Sequence, residues 1–288
     1  MPGSRVLPAF ALSAAALALA AAASPTLAQA PERAGPPAGL RDDGGDRLTI
    51  GFGLGAAPDY EGSNDYRLQP GGILQGRVSG IEFQMRGLNL YTDVIADRPG
   101  ARTRLVLGPV AQLRLERNGD VDDPRVAALG TRKTAVELGL TAGISQRGVL
   151  IPPASLNFDV TLLRDVAGAH RSHVITPTLS LNSPVSQRGF ARLGVSADFV
   201  GKGFAQYYYG VAPGMPLPAY TPTGGGLKSV GGSLLYTHDL AGEPRKGWGL
   251  FMLTNYKRMQ GDFARSPLVG TAGSKGQVFA VAGLSYSL

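Results

Sequence analysis

From Leu48 to the last residue the chain alternates apolar with polar or small side chains, in segments of about the 9–11 residues that a tilted strand needs to cross a bilayer. Leu48, Ile50, Phe52, Leu54 and Ala56 alternate with Thr49, Gly51, Gly53 and Gly55. Leu105, Leu107, Pro109, Ala111 and Leu113 oppose Arg104, Gly108, Gln112, Arg114 and, further on, Glu116. Thr134, Val136, Leu138 and Leu140 oppose Lys133, Glu137 and Thr141, and Leu156, Phe158, Val160 and Leu162 oppose Asn157, Asp159 and Thr161. Leu193, Val195, Ala197 and Phe199 oppose Arg192, Ser196 and Asp198; Val278 to Leu288 closes the series in the same rhythm. A period of two puts successive side chains on opposite faces of a strand, so each segment is a sheet element with one apolar face.

Composition says where such a sheet can live. Charged residues are only 17% of the chain, against about 25% in a soluble domain, and mean hydropathy is +0.01. A two-sheet sandwich or lipocalin-like barrel is the soluble alternative, but it would set the charge-poor face, rich in glycine and serine, against water. A barrel that turns the apolar face to lipid and the other to its lumen satisfies both, and closure leaves no unpaired edge in a solvent without hydrogen-bond partners. Trp248, Tyr236, Tyr256 and Tyr286 near strand ends suit the aromatic girdles of such a barrel. There is no cysteine, hence no disulfide framework, no thiolate metal site and no thiol nucleophile.

Short turns at Ser79-Gly80, Gln146 to Gly148, Ser183 to Gly189 and Ala241 to Lys246 alternate with longer connections at Pro58 to Tyr66, Arg117 to Thr131, Asp165 to Ser172, Gly201 to Gly226 and Gln260 to Ser274. Strict alternation requires the stretch from Ile81 to Ile95 to be a hairpin broken at Arg86-Gly87, where the apolar phase slips from Ile81, Phe83 and Met85 to Leu88 and Leu90. The alternative is a bulge in one long strand. With the hairpin, the fold is an all-β antiparallel transmembrane β-barrel of about twelve strands of the bacterial outer-membrane type, with both termini periplasmic.

Residues 1–30 read as a signal peptide: Arg5, an apolar stretch from Val6 to Ala23, and a small-x-small site at Ala28-Gln29-Ala30. Residues 31–46, with Pro36-Pro37 and several glycines, read as a flexible periplasmic leader, and residues 47–288 as the barrel. These addresses place the mature protein in the cell outer membrane. Gly51-Phe52-Gly53-Leu54-Gly55 has the look of a dinucleotide-binding loop, but that motif follows a strand and opens a helix, whereas these glycines lie inside the alternation.

Gly51-x-Gly53, Pro58-Asp59-Tyr60-Glu61-Gly62-Ser63 and Tyr66, then Tyr209-Gly210-Val211, Tyr256 with Asp262 and Ser266-Pro267-Leu268-Val269, and Gly283-Leu284-Ser285-Tyr286 resemble the blocks of the MltA-interacting protein (MipA/OmpV) family. That family commonly ends on phenylalanine, where this chain has Leu288. The resemblance implies an outer-membrane barrel without catalytic residues or cofactor. It also implies either a scaffold bringing a murein transglycosylase together with a peptidoglycan synthase, or a porin-like channel or surface adhesin.

The remaining chemistry is sparse. His170 and His173 have a metal-like spacing, but positions i and i+3 of a strand or loop face opposite ways, so a solvated external loop is the expectation for His170. His238-Asp239 reads as a strand-end pair near a short turn. No basic run with interleaved aromatics points to nucleic acid; the surplus of Lys and Arg, 28 against 21 acids, suits outer-membrane lipid, lipopolysaccharide or peptidoglycan carboxylates better. Arg104, Arg114, Glu116, Glu137, Asp159, Arg192 and Asp198 share the face that lines the lumen, as a pore's charged wall or as ion pairs filling it. Tyr207, Tyr208 and Tyr209 sit in the longest connection, 201–226, as recognition candidates: a plug in the mouth, a partner surface or a girdle.

Overall fold

The computed structural model describes residues 45–96, 100–119, 121–240 and 246–288. The signal peptide over 1–30, and the leader except for its last two residues, lie outside the described residues. The rest forms twelve strands: β1 (Arg47–Pro58), β2 (Tyr66–Val78), β3 (Ile81–Arg86), β4 (Asn89–Asp93), β5 (Thr103–Arg114) and β6 (Ala135–Arg147). They continue with β7 (Ser155–Asp165), β8 (His173–Pro184), β9 (Gly189–Val200), β10 (Gly226–Asp239), β11 (Gly247–Met259) and β12 (Gly276–Ser287). Each pairs antiparallel with its neighbour in sequence, and β1 pairs with β12 to close the barrel. Among the described residues four short helices lie in the long connections: α1 (Pro124–Ala127), α2 (Lys202–Tyr209), α3 (Gly261–Arg265) and α4 (Pro267–Gly270).

The alternation in the sequence is the inside–outside alternation of this wall. Phe52 and Leu54 are 77% and 69% exposed on the outer face, and their neighbours Gly51, Gly53 and Gly55 turn inward against β2 and β12. The phase slip at Arg86-Gly87 is a hairpin turn: Arg86 pairs with Asn89, and Gly87 takes the left-handed φ of +62°. One expected turn is longer than read, since β6 runs through Arg147 and the connection to β7 spans 148–154. At the short-turn end Trp248 meets Tyr286 edge-on, with ring centroids 5.3 Å apart, and Tyr236 stacks with His238. This is the interfacial place expected of such aromatics.

Two departures from a regular barrel follow from sequence. The β3–β4 hairpin is short, so Tyr66 to Gly72 of β2 extend past it with ladder partners on β1 only. Pro70, which has no N–H to leave unsatisfied, sits in that free edge. At β1 the wall bends sharply. A Cβ on Gly53 would lie 2.0 Å from the Ala282 carbonyl oxygen, and one on Gly71 would lie 2.8 Å from Val281 Cγ2. The glycine run is thus a corner at which the inner faces of β2 and β12 approach, with Ile73, Phe251 and Val281 buried there and Leu253 and Phe279 packed against them. Phe251 and Leu253 share the inner face of β11 with Asn255 and Lys257, so the lumen wall is partly apolar at this seam.

Candidate functional site

The long connections emerge at one end, which the loop-length rule of such barrels makes external, and they fold inward rather than outward. α2 descends into the mouth. Phe204, Ala205, Tyr208 and Tyr209 are buried against Val110, Leu163, Val174, Val200 and Met259 of the inner wall, and against Phe263, Ala264 and Val269 of α3 and α4. A second cluster of Tyr60, Val126, Val211, Leu217, Leu268 and Ala272 joins the other loops above it. The side chains at 204, 205, 208 and 209 recur at the helical i, i+1, i+4, i+5 spacing, which puts them on one face of a two-turn helix. That face is the stopper.

Charged groups fasten it. Lys228 is the extra residue of a bulge where β10 pairs with β9, which turns its side chain inward to full burial. Its Nζ lies 2.5 Å from Glu61 Oε1 and 3.6 Å from Asp198 Oδ2, and 5.4 Å above the Phe204 ring. Asp198 also receives Lys257 Nζ at 2.7 Å and the hydroxyls of Thr176 and Ser229 at 2.9 Å each. Glu61 Oε2 accepts the Tyr209 hydroxyl at 3.1 Å, and its backbone N–H donates to Glu116 Oε2 at 2.8 Å. One carboxylate thereby ties the 59–65 loop, the β10 bulge and the end of α2 together.

A second set lies beside it. Arg114 donates through Nε and Nη2 to the two oxygens of Glu137, 3.1 Å each, the two-pronged geometry that makes guanidinium–carboxylate pairs strong. His170 Nε2 is 2.8 Å from Glu137 Oε1, and Ser172 N–H donates to His170 Nδ1 at 3.2 Å. With Nδ1 accepting, Nε2 carries the proton that Glu137 receives. The solvated loop expected for His170 is therefore incorrect: its side chain is 0% exposed, because the Asp165 carboxylate gathers the 167, 168, 170 and 171 N–H groups and curls the turn inward. His173 faces outward opposite Arg164, so the two histidines diverge.

The other lumen-face residues fall elsewhere. Arg104 lies at the periplasmic end, with Arg47 and Arg77, around Glu82. Arg192 reaches Gln84 at 3.4 Å, and Asp159 stands on the inner face between Gly143 and Thr178. Glu116 lies beyond the end of β5, at the base of the 115–134 connection. Of the three tyrosines, Tyr208 and Tyr209 are buried in the stopper, while Tyr207 stacks under Arg132 and its hydroxyl accepts Lys133 N–H at 2.9 Å. Lys228, Lys257 and Phe204 were not among the residues singled out from sequence, Glu61 stood there only inside a motif of the resemblance, and His170 was expected in a solvated loop. A bulge lysine and a carboxylate inside a loop motif carry no period-two signal.

Outside the membrane-spanning strands, two of these acids are driven in opposite directions. Burial alone raises the Glu61 carboxyl, but the ammonium of Lys228, with Lys257 and Arg114, outweighs it and holds the group below its ordinary value of 4.5. Glu116 is raised, by burial first and by the Glu61 charge next. Burial, with Arg132 beside it, lowers Arg117 to about 10. A carboxyl depressed in the folded state contributes stability above its unfolded value that is lost as pH falls through the folded one. Acidification below 4.5 is thus expected to loosen the stopper, read as protease cleavage within 201–226 of the detergent-solubilised barrel. Glu61→Gln is expected to flatten that acid response, and an unchanged acid response in this variant would remove Glu61 as its source.

Solved structures similar to the chain include the outer-membrane expressed OmpT of Vibrio cholerae, at 10% identity over 86% of this chain and 99% of that one, TM-score 0.35. A Pseudomonas aeruginosa FadL homologue is 9% identical over 84% and 89%, TM-score 0.33. No curated protein matches the chain. The family described as MltA-interacting protein MipA matches residues 50–288, nearly the whole barrel. This twelve-stranded outer-membrane barrel with an inward-folded mouth belongs to the MltA-interacting protein (MipA) family.

Proposed function

We propose that this chain is a non-enzymatic outer-membrane scaffold that holds peptidoglycan-remodelling enzymes at the inner surface of the membrane. The observation that carries this reading is the stopper. An external mouth filled by an apolar core and fastened by buried ion pairs suits a rigid platform better than a solute path. The family's description names MltA as its interaction partner; the murein transglycosylase that the resemblance implies works on the periplasmic side.

That side offers a suitable contact. The 148–154 turn presents Val149, Leu150 and Ile151, with Leu150 65% exposed, and the neighbouring 185–188 turn adds exposed Val185. Apolar side chains grouped on projecting turns are the usual centre of a protein contact. Leu150→Ser/Ile151→Ser is expected to reduce capture of a purified murein transglycosylase by the immobilised barrel at least about tenfold, the loss of one interfacial hot spot. The capture assay settles the matter: no binding by the wild-type barrel would contradict the scaffold reading, and equal capture by both barrels would move the contact off this turn.

A further inference from the structure

We propose that the external rim over β7, β8 and β9 is a binding site for the phosphate groups of the anionic glycolipid that forms the outer leaflet. The inference rests on the barrel lying in the outer membrane and is independent of the scaffold role.

The register brings the cations together. Arg164, the last outward residue of β7, stands directly opposite His173 of β8, a separation of about 5 Å between Cβ atoms. A methyl group on Gly201 would come within 3.0 Å of the His173 ring, and the next residue, Lys202, opens α2 with its side chain exposed. Arg171 is held outward in the β7–β8 turn by its left-handed φ of +51° while its N–H serves Asp165. Arg164, Arg171, His173 and Lys202 are all exposed, and among the described residues none of their side chains has a carboxylate partner.

Acids are kept off this surface. Between Arg125 and Asp239 the carboxylates are Glu137, Asp159, Asp165, Asp198 and Asp239. Glu137, Asp165 and Asp198 are buried on the inner side, Asp159 shares the inward face of Thr161, and Asp239 ends β10 at the periplasmic rim. Of the external acids, Asp262 accepts from Thr223 of the 201–226 connection but is paired with Arg265, and the others collect on the far loops. There Asp122 pairs with Arg67 and Asp123 with Arg125, and Asp65 is raised, by burial first and then by Asp59, Asp122 and Asp123.

Beside and below the cations the lipid-facing wall is apolar, with Leu138 opposite Arg164 and Leu140, Leu162, Leu179 and Phe199 further down, all exposed. Positive groups immediately above an acyl-chain surface match a lipid whose phosphates sit at the head of its chains. A free phosphate would gain nothing from the apolar wall, so the lipid is the favoured source.

The test uses the full barrel in phosphatidylcholine nanodiscs carrying bis-phosphorylated lipid A, with lipid A retention read by native mass spectrometry. Arg164→Gln/Arg171→Gln/Lys202→Gln is expected to weaken retention on the order of a hundredfold with unchanged heat-modifiable mobility. Dephosphorylated lipid A is expected to bind the wild type as weakly. Should the triple variant not fold, Arg164→Gln and Lys202→Gln singly, each expected to weaken retention about fivefold, carry the test. Equal retention by variant and wild type, or of both lipids, would overturn the proposal. So would a wild-type dimer that dissociates in Asp122→Asn/Asp123→Asn with a gain in lipid retention, which would assign the patch to a second copy of the chain.

Discussion

Gly53→Val is expected to abolish the compact, heat-modifiable form of the barrel. The Cβ it adds would lie 2.0 Å from the Ala282 carbonyl oxygen, 2.6 Å from its carbon and 2.8 Å from Gly283 Cα. All three are backbone atoms of β12, so no side chain can swing away. The clash falls on the β1–β12 ladder, where Gly53 faces Gly283, and an open sheet has no alternative hydrogen-bond partners in lipid. Overpacking costs about 1–3 kcal/mol in an ordinary core; here the cost is expected at or above the upper end because closure itself is the step obstructed. Gly232→Ala, whose Cβ would meet nothing nearer than the Gly194 oxygen at 3.7 Å, is the matched control and is expected to fold normally. Equal yields of folded Gly53→Val and Gly232→Ala would show that the corner tolerates a side chain.

Lys228→Met is expected to release the stopper while leaving the wall intact. The substitution conserves the apolar stem against Phe204 and removes the countercharge 2.5 Å from Glu61. Asp198 keeps Lys257 at 2.7 Å, whereas Glu61 keeps the Tyr209 hydroxyl and, among the described residues, no cation within hydrogen-bond distance. Breaking a buried pair from one side costs about 3–5 kcal/mol, mostly the uncompensated charge that remains. The cost falls on α2 and the 59–65 loop. Proteolysis within 201–226 should therefore rise while heat-modifiable mobility persists. Glu61→Gln/Lys228→Met removes both charges and is expected to recover most of the protection. If the double variant is as open as the single one, the apolar packing of Phe204 and Tyr209, and not the ion pair, holds the mouth shut.

The wall was legible in the sequence because a lipid-facing strand must alternate: one residue of slip turns every apolar side chain into the lumen. That constraint made even the break at Arg86-Gly87 visible, as a change of phase between Met85 and Leu88. The stopper obeys no such rule. Phe204, Tyr208 and Tyr209 are apolar in a connection where composition gives no direction, and their partners come from β5, β7, β8, β9 and β11. Lys228 escapes because a bulge breaks the period, and His170 because its burial depends on Asp165 collecting backbone N–H groups within one turn. Phe251 and Val281 were hidden differently. Both adjacent positions on β11 are apolar, and only the curvature allowed by Gly53 and Gly71 places the inner ones against each other.

The stopper predicts a barrel that spans the outer membrane with its external mouth sealed. Single-channel recording in planar bilayers tests it most directly: the purified wild-type protein is expected to insert without stepwise currents at neutral pH, and Lys228→Met to give discrete openings. Stable steps from the wild-type barrel would contradict the sealed mouth and favour a solute channel.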